Sequence, residues 1–218
     1  MTRSLARAPR RALIVDFMGV LTVPVAEMMH DWMVAEGFSP EPFARFIHEL
    51  MARTSSDESG PVHGLETGRW TPDEFERTLA EEIAQSGLGT VSPDGLLKRM
   101  FGGLAPDRAM MQAVAELHAS GVPTALLSNA FGLEYPRADW PALFDVTVIS
   151  DEVGLRKPDP AIYLLTCTRL GVNPRDAVFV DDLEPNVLAA EALGMAGVHH
   201  TESGRTIRRV YELLGAAR

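Results

Sequence analysis

The chain has a single cysteine, Cys167, which excludes an internal disulfide framework and fits a reducing compartment. That thiol sits in an apolar stretch, so a buried structural role is expected of it rather than a nucleophilic one. Spanning segments are also missing: the apolar run Ala12 to Leu21 is broken by Asp16 and is far too short to cross a bilayer. No apolar stretch of signal-peptide length follows the basic N-terminal residues. A cytoplasmic protein without a membrane partner is expected. Positive charge is scarce, with 20 Lys and Arg against 30 Asp and Glu and a formal net charge of -10. Four of the basic groups (Arg3, Arg7, Arg10 and Arg11) crowd the N-terminus, leaving the remainder more acidic still. This argues against a nucleic-acid surface, and an anionic substrate would need a local positive site. Lysine is nearly absent, Lys98 and Lys157 being the only two.

A length of 218 residues allows one substantial core and a smaller attached unit. Residues 1–10 read as a disordered tail. Arg11 to Phe17 is a short apolar run of strand length ending around Asp16. From about Thr22 to Ala105 the pattern turns helical. Val25, Met28, Met29 and Trp32 fall at helical spacing, as do Phe43, Phe46, Ile47 and Leu50. Thr71-Pro72-Asp73-Glu74 supplies an N-cap, a proline at the first helical position and a capping-box glutamate. Ser92-Pro93 is expected to open a further short helix that fades at Gly102-Gly103.

After Pro106 strand and helix alternate. Helix is predicted over Asp107 to Ser120, Pro160 to Leu170, Pro185 to Leu193 and Arg205 to Leu214. Strands are predicted over Val122 to Ser128, Val146 to Ile149, Ala177 to Asp181 and Gly197 to His199. Such alternation implies a parallel sheet covered on both faces, an α/β core, with the helical block as an insertion. No internal repeat or low-complexity linker is visible.

Ligands of open parallel sheets bind at the carboxyl ends of the strands. Three predicted strands end in polar residues: Asp16, then Ser128-Asn129, then Asp181-Asp182. Lys157 follows in a loop, between Arg156 and Pro158. Taken singly, each has a plainer reading as a cap, turn former or solvated charge. Adjacent Asp181 and Asp182 are more suggestive, because neighbouring carboxylates repel unless a cation or hydrogen bonds offset them. Two carboxylates, a hydroxyl and an ammonium on one edge would suit a hard cation such as Mg²⁺ together with a phosphate. Lys157 would supply compensating charge and Ser128 a donor.

With these residues in order, the sequence resembles the haloacid dehalogenase-like (HAD) hydrolase superfamily over nearly its whole length. The motifs are Asp16-Phe17-Met18-Gly19-Val20-Leu21, then Leu126-Leu127-Ser128-Asn129, then Gly154-Leu155-Arg156-Lys157-Pro158-Asp159-Pro160, and last Val180-Asp181-Asp182-Leu183-Glu184-Pro185-Asn186. Leu65-Glu66-Thr67-Gly68-Arg69, ahead of the capping box, resembles the cap of the subgroup that contains the N-terminal phosphatase domain of soluble epoxide hydrolase. The resemblance implies a Rossmann-like core from residues 11–21 and 106–218, with a helical cap from 22–105. It implies that Asp16 attacks phosphorus and forms an aspartyl-phosphate, that Asp16, the backbone carbonyl of Met18 and Asp181 ligate Mg²⁺, and that Asp182 ligates it through water or orients its neighbours. Ser128, Lys157 and backbone N–H groups near Met18, Gly19 and Asn129 would hold the phosphoryl oxygens. Asn186 would hydrogen-bond near the metal site or simply cap its helix. The implied substrate is a small phosphomonoester.

Met18 departs from the pattern. Phosphatases of this superfamily usually carry Asp there as general acid and base, and its loss typically costs roughly 10²–10⁴-fold in rate. Two alternatives stay open on that account, a non-catalytic binding or regulatory protein and a 2-haloacid dehalogenase. Halide leaves without a proton, but the dehalogenases usually lack the pair Asp181-Asp182. A phosphonoacetaldehyde hydrolase would need a cap lysine, and Lys98 reads as a surface residue. Met28, Met29, Trp32, Phe43 and Phe46 read as the cap's own core. His30, His48 and His63 lack metal-ligand spacing.

Overall fold

The computed structural model describes residues 12–55, 60–132 and 134–216. The expected N-terminal tail, residues 1–10, lies outside them. Five short strands form the centre: β1 (Ala12–Val15), β2 (Thr124–Ser128), β3 (Val146–Ile149), β4 (Ala177–Asp181) and β5 (Ala196–His199). All pair in parallel, in the order β3-β2-β1-β4-β5. The near-continuous apolar sequences of β1, β2 and β4 follow from burial on both faces, and every residue of those three strands is buried.

Successive strand side chains alternate between the two faces. Leu13, Val15, Leu126, Val178 and Val180 join one cluster, with Met110 and Val114 of α6 (Arg108–Ala119) and Ile207 and Tyr211 of α10 (Ser203–Leu214). Ile14, Ala125, Leu127 and Phe179 join another, with Ile162, Tyr163 and Cys167 of α8 (Pro160–Leu170) and Ala190 of α9 (Glu184–Ala192). Cys167 is thus buried packing, and burial pushes its thiol up to about 11. The fold is a Rossmann-like α/β core with helices on both faces.

The helical insert sits between β1 and α6. It comprises α1 (Val25–Ala35), α2 (Pro40–Ser55), α3 (Pro61–Glu66), α4 (Pro72–Gln85) and α5 (Leu96–Met100). Met28, Trp32, Phe43, Phe75, Leu79 and Ile83 centre its own apolar cluster, with Met29 and Phe46 partly buried against it. The α4 capping box forms as its sequence requires: Thr71 Oγ1 accepts from Glu74 N–H (3.3 Å), and Glu74 Oε2 accepts from Thr71 N–H (2.8 Å). The two chains entering and leaving the insert pair antiparallel at Thr22 and Pro106, with Val23 N–H donating to Ala105 O and Asp107 N–H to Leu21 O, both at 2.9 Å.

One expected boundary is corrected. Ser92-Pro93 does not open a helix; α5 begins at Leu96. Its first turn is capped from another element, because the buried Glu76 of α4 accepts from Gly95 N–H (3.1 Å) and Leu97 N–H (2.8 Å). Among the described residues no helix is long and apolar enough to cross a membrane.

Candidate active site

The strand order reverses between β1 and β4, the position at which open α/β sheets receive ligands at their carboxyl ends. Val15 and Val180 are register partners, and Asp16 N–H donates to Val180 O at 2.9 Å. The next residue on each chain is an aspartate, so register alone brings Asp16 and Asp181 side by side. They continue the face of Ile14 and Phe179, which α8 and α9 cover.

Lys157, in the loop between α7 (Ser150–Val153) and α8, closes the pair. Its Nζ lies 2.7 Å from Asp16 Oδ1 and 2.6 Å from Asp181 Oδ2, and 5.8 Å from the Phe179 ring centroid. The ammonium is 1 % exposed, Asp181 is fully buried and Asp16 keeps 7 % exposure. Asp181 Oδ1 accepts from Leu183 N–H (2.9 Å) and from Asn186 Nδ2 (3.0 Å), which gives Asn186 a role at the acidic centre.

Asp182 comes in from the other side. Asp16, Asp181 and Asp182 each bring a carboxylate oxygen within 4.8 Å of the others. Gly19, at φ +74°, makes this approach possible, since a Cβ there would lie 2.3 Å from Asp182 Oδ2. The electrostatics follow from three carboxylates facing one ammonium. Burial, the largest influence, pushes Asp16 up to about 7; Asp181 and Asp182 add to the push and Lys157 opposes it. Burial and then the neighbouring Asp181 push Asp182 up to about 6. For Lys157 burial works downward, but Asp16 and Asp181 outweigh it and hold the ammonium above its ordinary value. Negative charge in excess on an all-oxygen donor set fits a hard divalent cation.

Asn129 and Ser128 do different work from each other. The Asn129 side chain clasps the Lys157 peptide on both sides: Oδ1 accepts from Lys157 N–H (2.8 Å) and Nδ2 donates to Lys157 O (3.1 Å). Ser128 Oγ shares a hydrogen bond with Tyr135 Oη at 3.0 Å. Tyr135 packs edge-on against Phe17 and Trp140, and burial raises its phenol. Gly19 N–H donates to Thr22 Oγ1 (2.9 Å). Met18 lies in the same turn, with its side chain packed against both the core cluster and the insert's cluster.

The structure therefore brings together Asp16, Lys157, Asp181 and Asp182, with Asn129 and Gly19 shaping their positions. Two neighbours went unassigned in the sequence, Tyr135 and Glu66. Tyr135 lies in a stretch without periodicity. Glu66 is 5 % exposed, forms an ion pair with Arg156, and lies 3.4 Å from Asn129 Nδ2. Burial, the dominant influence, raises its carboxyl despite the opposing pull of Arg156.

A parallel sheet with an acidic centre and a buried lysine at its reversal point, under a helical insert, defines a class of hydrolytic α/β enzymes. The description of the haloacid dehalogenase-like hydrolases matches residues 10–194, and the chain belongs to that family. Mouse acyl-CoA dehydrogenase family member 10 is 30 % identical over 94 % of this chain, which spans only 19 % of that protein. Sesquiterpene phosphatase astK of Aspergillus oryzae is 30 % identical over 69 % of this chain and 78 % of its own length. HAD family enzyme bt-2542 of Bacteroides thetaiotaomicron, solved with magnesium and inorganic phosphate, shares the fold. Its TM-score is 0.63 at 22 % identity, over 88 % of this chain and 94 % of that one.

Proposed function

We propose that this chain is a Mg²⁺-dependent phosphatase acting on a small phosphomonoester through an aspartyl-phosphate at Asp16. The observation that carries the reading is the Asp16–Lys157–Asp181 bridge with Asp182 alongside. Asp16 forms a bond from a carboxylate oxygen to phosphorus while the bond to the leaving oxygen breaks, and water then releases inorganic phosphate. Lys157 supports the charge on the transferring group and Asn129 holds Lys157. Asp16, Asp181 and Asp182, with the Met18 carbonyl, would hold Mg²⁺, which when bound neutralises phosphoryl charge. The names of the fungal phosphatase and of glyceraldehyde 3-phosphate phosphatase from Methanopyrus kandleri, 28 % identical over 62 % of this chain, support phosphate chemistry. We take residues 22–105 as the cap, hinged where Thr22 pairs with Pro106.

Phosphate release from aryl and alkyl phosphomonoesters, with Mg²⁺ and with EDTA, tests this. Release that stops with EDTA is expected. Chloride release from 2-chloropropionate without phosphate release would replace the reading with the dehalogenase one.

Met18 leaves the departing oxygen without a protein acid, so turnover should fall steeply from aryl to alkyl leaving groups. Met18→Asp should flatten that dependence and raise alkyl-phosphate turnover by roughly 10²-fold, the lower end of what a positioned acid contributes. An unchanged leaving-group dependence in the variant would show that the proton already has another source.

A further inference from the structure

Glu66 ends α3 in the helical insert, yet its contacts are with the core. Its carboxylate forms the ion pair with Arg156, the residue before Lys157. The same carboxylate takes the outer hydrogen bond of Asn129, whose amide clasps the Lys157 peptide on its other side. Its main-chain carbonyl accepts from Ser150 Oγ, and that oxygen in turn accepts from Ala130 N–H at 2.7 Å. Two residues on, Gly68 lies against Asp151, where a Cβ would come 2.8 Å from the Asp151 carbonyl. One turn of the insert therefore touches the three core segments that follow β2, follow β3 and carry Lys157.

A buried ion pair adds little net stability compared with apolar packing, because both charges must leave water. Van der Waals docking of an insert would not require a buried carboxylate at this point. What the charge does supply is a shared electrostatic anchor: it pairs with Arg156 and accepts from Asn129 Nδ2, and both residues adjoin the backbone of Lys157.

We propose that Glu66 is a positioning residue, which sets the Lys157 backbone through Arg156 and Asn129 when the insert is seated. With Glu66 in place the lysine is held across Asp16 and Asp181. With the insert lifted, Arg156 loses its partner and the Asn129 clasp loses its outer support. The lysine is then held less firmly across the two carboxylates. The kinetic part of this proposal rests on the phosphatase reading; the structural part does not.

Glu66→Gln keeps the shape and removes the charge, and Arg156→Gln removes the partner. Amide hydrogen exchange at Lys157 should speed up in both variants, while exchange in β4 and α10 stays as in the native chain. The kcat for an aryl phosphate should fall roughly tenfold with KM within about twofold, as expected when a group is misplaced rather than removed. Glu66→Asp should recover part of the loss. Unchanged exchange at Lys157 would overturn the proposal, as would faster exchange spread evenly over the whole chain. If the native chain releases no phosphate but exchange at Lys157 responds to Glu66→Gln, the phosphatase reading fails and the positioning role stands.

Discussion

Asp16→Asn should abolish phosphate release and, without metal, make the chain more heat-stable. The first effect follows from removing the nucleophile, a loss of roughly 10⁴-fold or more when a reacting group is deleted. The second follows from the acidity of Asp16. Its carboxyl is raised from 3.8 to about 7, chiefly by burial. The folded chain thus binds that proton more tightly than the unfolded chain does. The contribution of this group favours folding at low pH and is lost as pH rises from about 4 to about 7. Above that range an ionised Asp16 strains the fold, and an uncharged amide relieves the strain. A rise of a few degrees in Tm is expected, since about 1 kcal/mol moves Tm by roughly 2–4 °C in a chain of this size. Mg²⁺ should stabilise the native chain in the same pH range and stabilise Asp16→Asn much less. A variant that melts lower than the native chain above pH 7, without metal, would contradict this account of the charge balance.

Lys157→Met should cost more stability than any surface charge change. The substitution keeps much of the side chain's bulk but removes the cation between two buried carboxylates. Breaking a buried pair in this way typically costs 3–5 kcal/mol, because the remaining charges stay buried. A fall in Tm of roughly 10 °C is expected. It should shrink as pH is lowered, because protonating Asp16 and Asp182 removes part of the repulsion that Lys157 offsets. The exposed pair Arg45–Glu41, 3.8 Å apart with side chains 69 % and 86 % exposed, is the control. Arg45→Ala should leave Tm almost unchanged, as screened surface pairs contribute little. Equal effects at the two sites would mean that the bridge at Lys157 carries no special weight. Thermal melts followed across pH measure both.

Much of this site is legible in the sequence, for a physical reason. Strands buried on both faces must be apolar throughout, so the aspartates that end β1 and β4 stand out against what precedes them. Asp16 and Asp181 could therefore be named from the sequence, Lys157 being singled out by the motif it sits in, and parallel register then puts the two carboxylates side by side. The contacts that were not legible depend on folding distant segments together. Glu66 and Arg156 meet only because α3 docks beside the loop before α8. Tyr135 reaches Ser128 from a stretch with no periodic pattern. Glu76 caps α5 from another helix, and that is why Ser92-Pro93 misplaced the helix start. Gly19 was expected to offer its N–H to a ligand. Its steric role, leaving room for Asp182 where any side chain would collide, was not legible.

The central claim, that Asp16 becomes phosphorylated, is tested most directly by rapid acid quench during turnover of a radiolabelled aryl phosphate. The account predicts label on the peptide that contains Asp16, absent from Asp16→Asn and chased off by unlabelled substrate. Phosphate release with no labelled peptide, or with label on a residue other than Asp16, would contradict it.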